Sequence, residues 1–233
     1  MSSASEEPLQ TNYDDDSSPA AQTILDPEYA ELFATDADKF EEHDFRVSHM
    51  SSVRSFYLQK IPGDTKRIDL VERLLKKYAI SGGLIKVESP RIDDFVAAKM
   101  QGVWLRVKVI RVCESCPSEV ISVDHGNVCF PSEFFALPQK LRDLPALAHR
   151  CALQLPKSSV DLNETFEEII SSNSAFKIKV IEEVGDTMVI DLYKDSKSVT
   201  ELLLAKSSIT SNTDQVANET IETSHPSANM VVE

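Results

Sequence analysis

The most constraining stretch of the chain runs from Phe95 to Pro131, where short alternating runs of apolar and polar residues are separated by tight turns. Phe95 to Met100 reads as a strand and Gln101-Gly102 as a turn. Val103, Leu105, Val107 and Val109 then alternate with Trp104, Arg106, Lys108 and Ile110, and a period of two marks a strand with one buried face. Cys113 to Ser118, with Pro117, reads as a turn region and Glu119 to Val123 as a third strand. Asp124-His125-Gly126-Asn127 is turn chemistry, with a glycine free to take positive φ, and Val128 to Pro131 is a fourth short strand. Strands this short, joined this tightly, imply a small twisted barrel.

The flanking segments imply a second layer. Phe45 and Val47 alternate with polar residues, and Phe56 and Leu58 resume the pattern after an interruption, giving two strands or one bent strand. Ile68, Val71, Leu74, Leu75 and Tyr78 recur at helical spacing before the stop at Gly82-Gly83. Beyond the barrel, Ser132 to Leu137 and Leu144 to Leu153 are expected to be helical, followed by a helix from Val160 to Ser171 with Phe166, Ile169 and Ile170 on its apolar face. Ala175 to Glu183 and Thr187 to Tyr193 form a hairpin across Gly185-Asp186, and Val199 to Leu204 is a last short helix. The class is α+β with mostly antiparallel strands.

The formal charge of −14 sits at the ends of the chain. Residues 1–42 carry many Asp and Glu against the single Lys39, and the segment after Ser207 adds acids and no base. Both ends, 1–42 and 207–233, are expected to be disordered tails. The near-neutral part between them has no global field to draw it onto nucleic acid. No apolar run approaches a membrane span, and Met1 is followed by Ser, Glu and Asp rather than by a basic region and an apolar run. The expectation is a soluble cytoplasmic protein with no membrane partner.

Cys113-Glu-Ser-Cys116 has zinc-knuckle spacing, yet a structural zinc site needs four ligands, and only His125 and Cys129 could complete the set on paper. The plainer expectation is a hairpin turn that happens to carry two thiols. No metal and no cofactor is expected. Catalysis finds no support either: Asp44, Asp69, Asp161 and Asp191 fall on separate elements with no shared motif, and no nucleophile elbow is present. No catalytic residue or small-molecule substrate is assigned.

The residues, taken in order, resemble one family. Phe45-Arg-Val-Ser-His-Met and Phe56-Tyr-Leu-Gln resemble the opening strands of extended Tudor domains. Phe95-Val-Ala-Ala-Lys-Met100, Gly102-Val-Trp104-Leu-Arg106 and Val123-Asp124-His125-Gly126-Asn127 resemble the Tudor core, whose pattern runs Ala-Lys-aromatic, Gly-x-Trp-Tyr-Arg and Asp-Tyr-Gly-Asn. The resemblance implies a Tudor (SH3-like) β-barrel inserted in a staphylococcal-nuclease-like, OB-type barrel. It implies a Tudor core at about 90–137, nuclease-like halves at about 43–66 and 138–206, and a linking helix at about 68–80. A nuclease-like fold does not bring nuclease chemistry with it.

Extended Tudor domains bind dimethylated arginine in Arg-Gly-rich tails through an aromatic cage, in which a delocalised cation lies against ring faces. Carried over residue by residue, the cage positions are Met100, Leu105, Ser122, His125 and Asn127, supported by Asp124 and Trp104. The first four are usually aromatic in the family, and only the imidazole of His125 remains here. Asn127 and Asp124 survive, and Trp104 is expected to be structural. Either the pocket still takes arginine, unmethylated or as in a standard methylarginine reader of Arg-Gly-rich tails, through His125, Asn127 and the soft surfaces of Met100 and Leu105, or it is closed and other surfaces act. Weak, altered or absent dimethylarginine recognition is expected.

The resemblance further implies a non-enzymatic adaptor or scaffold in a germline small-RNA (piRNA, Argonaute) pathway, in the cytoplasm at perinuclear germ granules, with Argonaute/Piwi-class or other Tudor-pathway proteins as partners. A second reading is RNA binding through the OB-like half, for which Arg106, Lys108, Arg111 and the Lys76-Lys77 pair are the available bases. A third is an adaptor that acts through its acidic N-terminal tail.

Overall fold

The computed structural model describes Leu32 and residues 39–113, 116–156, 162–171 and 174–206. All of these except Leu32 fall in one compact unit, Thr35–Glu233. The expected disordered tails lie outside the described residues, apart from Leu32 and residues 39–42.

Among the described residues, two six-stranded sheets organise the unit. The first has the order β1-β2-β9-β11-β10, with β12 paired to β11. It draws β1 (Asp44–Ser52) and β2 (Ser55–Ile61) from the start of the unit and β9 (His149–Leu153), β10 (Lys177–Val184), β11 (Thr187–Lys194) and β12 (Lys197–Ser198) from its end. A bridge between Phe45 and Phe176 brings the two edges together. Alternation puts Phe45, Phe56, Leu58, Cys151, Leu153, Ile178, Ile190 and Leu192 inside. Phe166 of a short helix (Asn163–Ile170) and Leu203 of the helical residues 199–206 cover this core. Phe40, on a 3-10 turn at Phe40–Glu42, packs against it too, so ordered structure begins before residue 43.

The second sheet is the insert, ordered β3-β8-β4-β5-β6-β7. Its strands are β3 (Lys86–Val87), β4 (Phe95–Met100), β5 (Val103–Arg111), β6 (Glu119–Ser122), β7 (Val128–Cys129) and β8 (Phe134–Ala136). β4 and β5 turn over Gln101-Gly102, both with positive φ (50° and 91°), the twist that a two-residue hairpin requires. Val96, Ala98, Val107, Val109, Val120, Cys129 and Phe134 fill the inside. This is the α+β extended arrangement expected, a small barrel set into a larger one.

Helix α1 (Gly63–Ile80) joins the two, burying Ile68, Leu70, Val71, Leu74 and Leu75. It starts a turn earlier than the hydrophobic spacing indicates. Asp64 in its first turn is 1% exposed, accepts the Lys60 N–H at 2.8 Å and lies 3.2 Å from His149 Nε2. A carboxylate there also complements the positive end of the helix.

Three expectations need correction. Ser132 to Leu137 is not helical: residues 134–136 form β8, pairing with β3 and β4 to close the insert. Leu144 to Leu153 is not helical either. Only α2 (Gln139–Asp143) precedes it, and His149–Leu153 is β9, antiparallel to β2 and parallel to β11. Tertiary pairing overrides the helical preference of this Leu- and Ala-rich segment. Finally, Cys113 and Cys116 are a disulfide rather than two thiols, their Cα atoms 5.3 Å apart, well within bonding reach. Cys129 and Cys151 are free and buried. Cys113 and Cys116 are therefore not free to join a zinc set with His125 and Cys129, and among the described residues no cluster of three or more His, Cys, Asp or Glu is placed to hold a metal.

Candidate functional site: the turn at the barrel mouth

The Asp124-His125-Gly126-Asn127 turn follows β6 and is closed on itself by Gly126 N–H to Ser122 O (2.8 Å) and Ser122 N–H to Asn127 O (2.9 Å). Two sets of residues hold it, one from each half of the unit.

From the insert, Arg106 reaches out of β5 and is only 2% exposed. Its Nε donates to Asp124 Oδ2 at 2.9 Å and its Nη2 to Asp124 Oδ1. Nη1 donates to the carbonyls of Leu141 (2.8 Å) and Leu144 (2.6 Å), and Nη2 also to that of Pro145 (2.9 Å). Every N–H of the guanidinium fork is thereby used. A buried charge pair is tolerable only when its remaining donors and acceptors are satisfied in this way. Arg106 is therefore not an available base for RNA, which corrects that expectation. Lys108 and Arg111 are engaged as well, with Asp93 at 2.8 Å and Glu119 at 2.9 Å.

From the larger barrel, the outer face of the β1–β2 hairpin clamps the other side of the turn. Gln59 is fully buried and donates from Nε2 to Asp124 O, while Arg46 Nε donates to Gln59 Oε1 at 2.8 Å. Ser48 Oγ donates to His125 O at 2.9 Å. The Tyr57 ring lies against Gly126, whose φ is +82°. Sequence reasoning missed Ser48, Tyr57 and Gln59 as site residues. The only available signal was the alternation of Tyr57 and Gln59 with Phe56 and Leu58, which puts the two on the outer face together.

Four of the seven expected site residues, Ser122, Asp124, His125 and Asn127, thus share one clamped turn. Met100 and Leu105 are half-buried and pack against the barrel core, and the pairing of Val107 with Ser122 puts Ser122 on that same inner face. Trp104 lies on the opposite face of β5 from Leu105, its ring edge-on to Phe135 at 5.3 Å between centroids, with Lys99 Nζ at 6.0 Å. It braces the outside of the barrel and takes no part in the mouth.

The chemistry of the mouth is that of unused acceptors. Among the described residues Ser122 Oγ, itself buried, has no hydrogen-bond partner. Asn127 turns its Nδ2 to Cys129 Sγ at 3.1 Å, and among the described residues nothing donates to its Oδ1. Burial pushes the His125 imidazole below its ordinary range, an effect that the neighbouring Asp124 opposes. The ring is accordingly neutral near pH 7, with one nitrogen able to accept.

A small barrel is thus inserted in a second one, with a clamped turn presented where the two meet. The family model of the Tudor domain matches residues 39–155, and this chain belongs to the Tudor domain family. It is 27% identical over 165 residues to Protein tudor of Drosophila melanogaster, a match covering 68% of this chain but only 6% of that protein. Among solved structures, the human TDRD1 extended Tudor domain in complex with a symmetrically dimethylated peptide superposes with a TM-score of 0.63 at 21% identity, covering 70% of this chain and 87% of that one. The extended Tudor domain TD3 of mouse TDRD1, bound to a MILI peptide containing dimethylarginine, gives 0.62 at 21% identity over 71% and 90%. A Tudor–Aubergine complex gives 0.60 at 21% identity over 69% and 98%. These establish the extended Tudor fold.

Proposed function

We propose that this chain is a non-enzymatic adaptor that binds Piwi-class Argonaute proteins in a germline small-RNA pathway, acting in the cytoplasm at perinuclear germ granules, without the aromatic-cage preference for dimethylarginine. The observation that carries the second half is at the mouth. The four positions that correspond to cage rings hold Met100, Leu105, Ser122 and His125, and the first two are packed against the barrel core. Support for the first half comes from the solved relatives bound to Aubergine and MILI peptides. With the ring faces absent, the cation-π contribution of roughly 0.5 to 2 kcal/mol per contact is lost. Against RNA binding through the OB-like half stands the burial of Arg106.

The test is complex formation between the full chain and a purified Piwi-class Argonaute, prepared with and without symmetric dimethylation of its Arg-Gly-rich tail. The expected result is a complex of similar affinity in both preparations. Failure to bind either preparation would remove the adaptor reading. Binding that requires methylation and is lost in Asn127→Ala would make the chain an ordinary methylarginine reader.

A further inference from the structure

We propose that the outer edge of β10, on the arm of the β10–β11 hairpin, takes an extended basic segment of a protein partner as an added strand. The segment it fits reads apolar-basic-basic-apolar. The proposal uses none of the mouth residues and stands or falls apart from the reading of the mouth.

The edge is open. β10 is the last strand of its sheet, and that sheet closes on itself only where Phe45 and Phe176 exchange backbone hydrogen bonds at 2.9 and 2.8 Å. Just beyond, side chains rather than a strand serve it: Glu41 accepts the Val180 N–H, and Lys177 Nζ donates to Glu42 O at 3.0 Å. From Ile181 to Val184 no described residue pairs with this side of the strand. A row of unpaired N–H and C=O groups is a template for another strand.

The arm also stands clear of the core. A barrel strand buries every second side chain, as the first half of β10 does with Ile178. Past the bulge between Val180 and Glu182, Ile181, Glu182, Glu183 and Val184 are all exposed, the two apolar ones at 39% and 56%. An added strand would cover both.

Charge decides the occupant. The arm from Glu182 to Met188 carries three acids, Glu182, Glu183 and Asp186, and no base. Arg150 stands 3.4 Å from Asp186, and no ion pair within the described residues engages Glu182 or Glu183. Like charges directly opposite each other destabilise a strand pair, and opposite charges stabilise it. Pairing with the same edge of a second copy would set glutamate against glutamate, and the phosphates of RNA are repelled by the same groups. Two consecutive bases opposite Glu182 and Glu183 meet one acid on each face, because successive side chains alternate. Apolar residues on either side of them cover Ile181 and Val184, so the pattern suits either strand direction.

The probe is the peptide Ser-Thr-Val-Lys-Lys-Val-Thr-Ser, which holds no arginine, titrated into the isotope-labelled full chain and followed by amide NMR. It is compared with a Glu-Glu counterpart and with a form N-methylated along its backbone, which keeps the charges and cannot pair. The Lys-Lys peptide is expected to bind about fivefold or more tightly than the Glu-Glu one, with slowed hydrogen exchange centred on Ile181 to Val184. Glu182→Lys combined with Glu183→Lys should reverse that preference, and since both side chains are exposed the melting temperature should stay close to the parent's. Asn127→Ala should leave the binding unchanged. No binding of the Lys-Lys peptide overturns the proposal, as does a charge-reversed variant that keeps the parent's preference. Equal binding of the N-methylated form overturns it too, because that would show a charged surface without strand addition. Binding lost in Asn127→Ala would place the peptide at the mouth and sink it as well. None of these outcomes touches the adaptor reading, which the Piwi-class complex tests separately.

Discussion

Tyr57 of the larger barrel and Gly126 of the insert are in such close contact that a Cβ added at residue 126 would fall 2.1 Å from the ring's Cγ. The glycine is needed twice over, for its φ of +82° and for the room it leaves to the ring.

Gly126→Ala is therefore expected to cost about 2 kcal/mol or more, from left-handed strain and from displacement of the ring together. In a Tyr57→Ala background the same substitution should cost measurably less, because only the backbone strain remains. Urea denaturation of the four species checks this, and equal costs in both backgrounds would mean that the ring is not what excludes the methyl.

Arg106→Ala should be among the most damaging single changes in the chain, costing about 3–5 kcal/mol. It strands the buried Asp124 carboxylate and three carbonyls that share one guanidinium. Arg106→Lys is not expected to rescue it, since an ammonium cannot span both carboxylate oxygens and the carbonyls of Leu141, Leu144 and Pro145. A lysine variant with parental stability would show that charge alone suffices.

Rebuilding the cage should restore what the sequence lacks. The combined variant Met100→Phe, Leu105→Tyr, Ser122→Tyr and His125→Tyr is expected to bind a symmetrically dimethylated Arg-Gly peptide about tenfold or more tightly than the parent, since each ring face contributes roughly 0.5 to 2 kcal/mol. Fluorescence anisotropy would measure it. A folded variant with no gain would mean that the mouth is displaced from its ligand by more than side-chain identity.

The thiols offer a simple count. Without reductant, the four cysteines should present two titratable thiols in denaturant and almost none in the native chain, since Cys129 and Cys151 are buried. Burial pushes the Cys151 thiol up to about 12, which leaves essentially no thiolate to react near neutral pH. Four thiols in the unreduced, denatured chain would contradict the Cys113–Cys116 bond.

Much of this fold was legible because its strands announce themselves. β5 alternates Val103, Leu105, Val107 and Val109 with its other face directly after a glycine turn, and Gly185 marks the turn of the β10–β11 hairpin. The failures share a cause. Phe134–Ala136 is too short to show a period, and His149–Leu153 lies in a Leu- and Ala-rich run whose local preference is helical. Its strand character comes from β2 and β11 on either side, which are distant in sequence. The site was half legible. The Asp124–Asn127 turn stood out through its residue types, whereas Arg106 looked like a surface base. An outward-facing position on a barrel strand gives no sign that α2 and the loop after it will cover it. Ser48 and Gln59 carried no mark beyond being polar residues on a strand.

Because β2 and β9 are neighbours in register, with Phe56 opposite Cys151 and Leu58 opposite His149, the chain leaves the first sheet and re-enters it at almost the same place. A segment of nearly ninety residues, from Ile61 to His149, is thus spliced in across a gap that a short linker could bridge. Such an arrangement lets the inserted cassette diverge in what it recognises while its host keeps its own hydrophobic interior. It also means that the rings could be lost from the mouth without disturbing the scaffold that displays it.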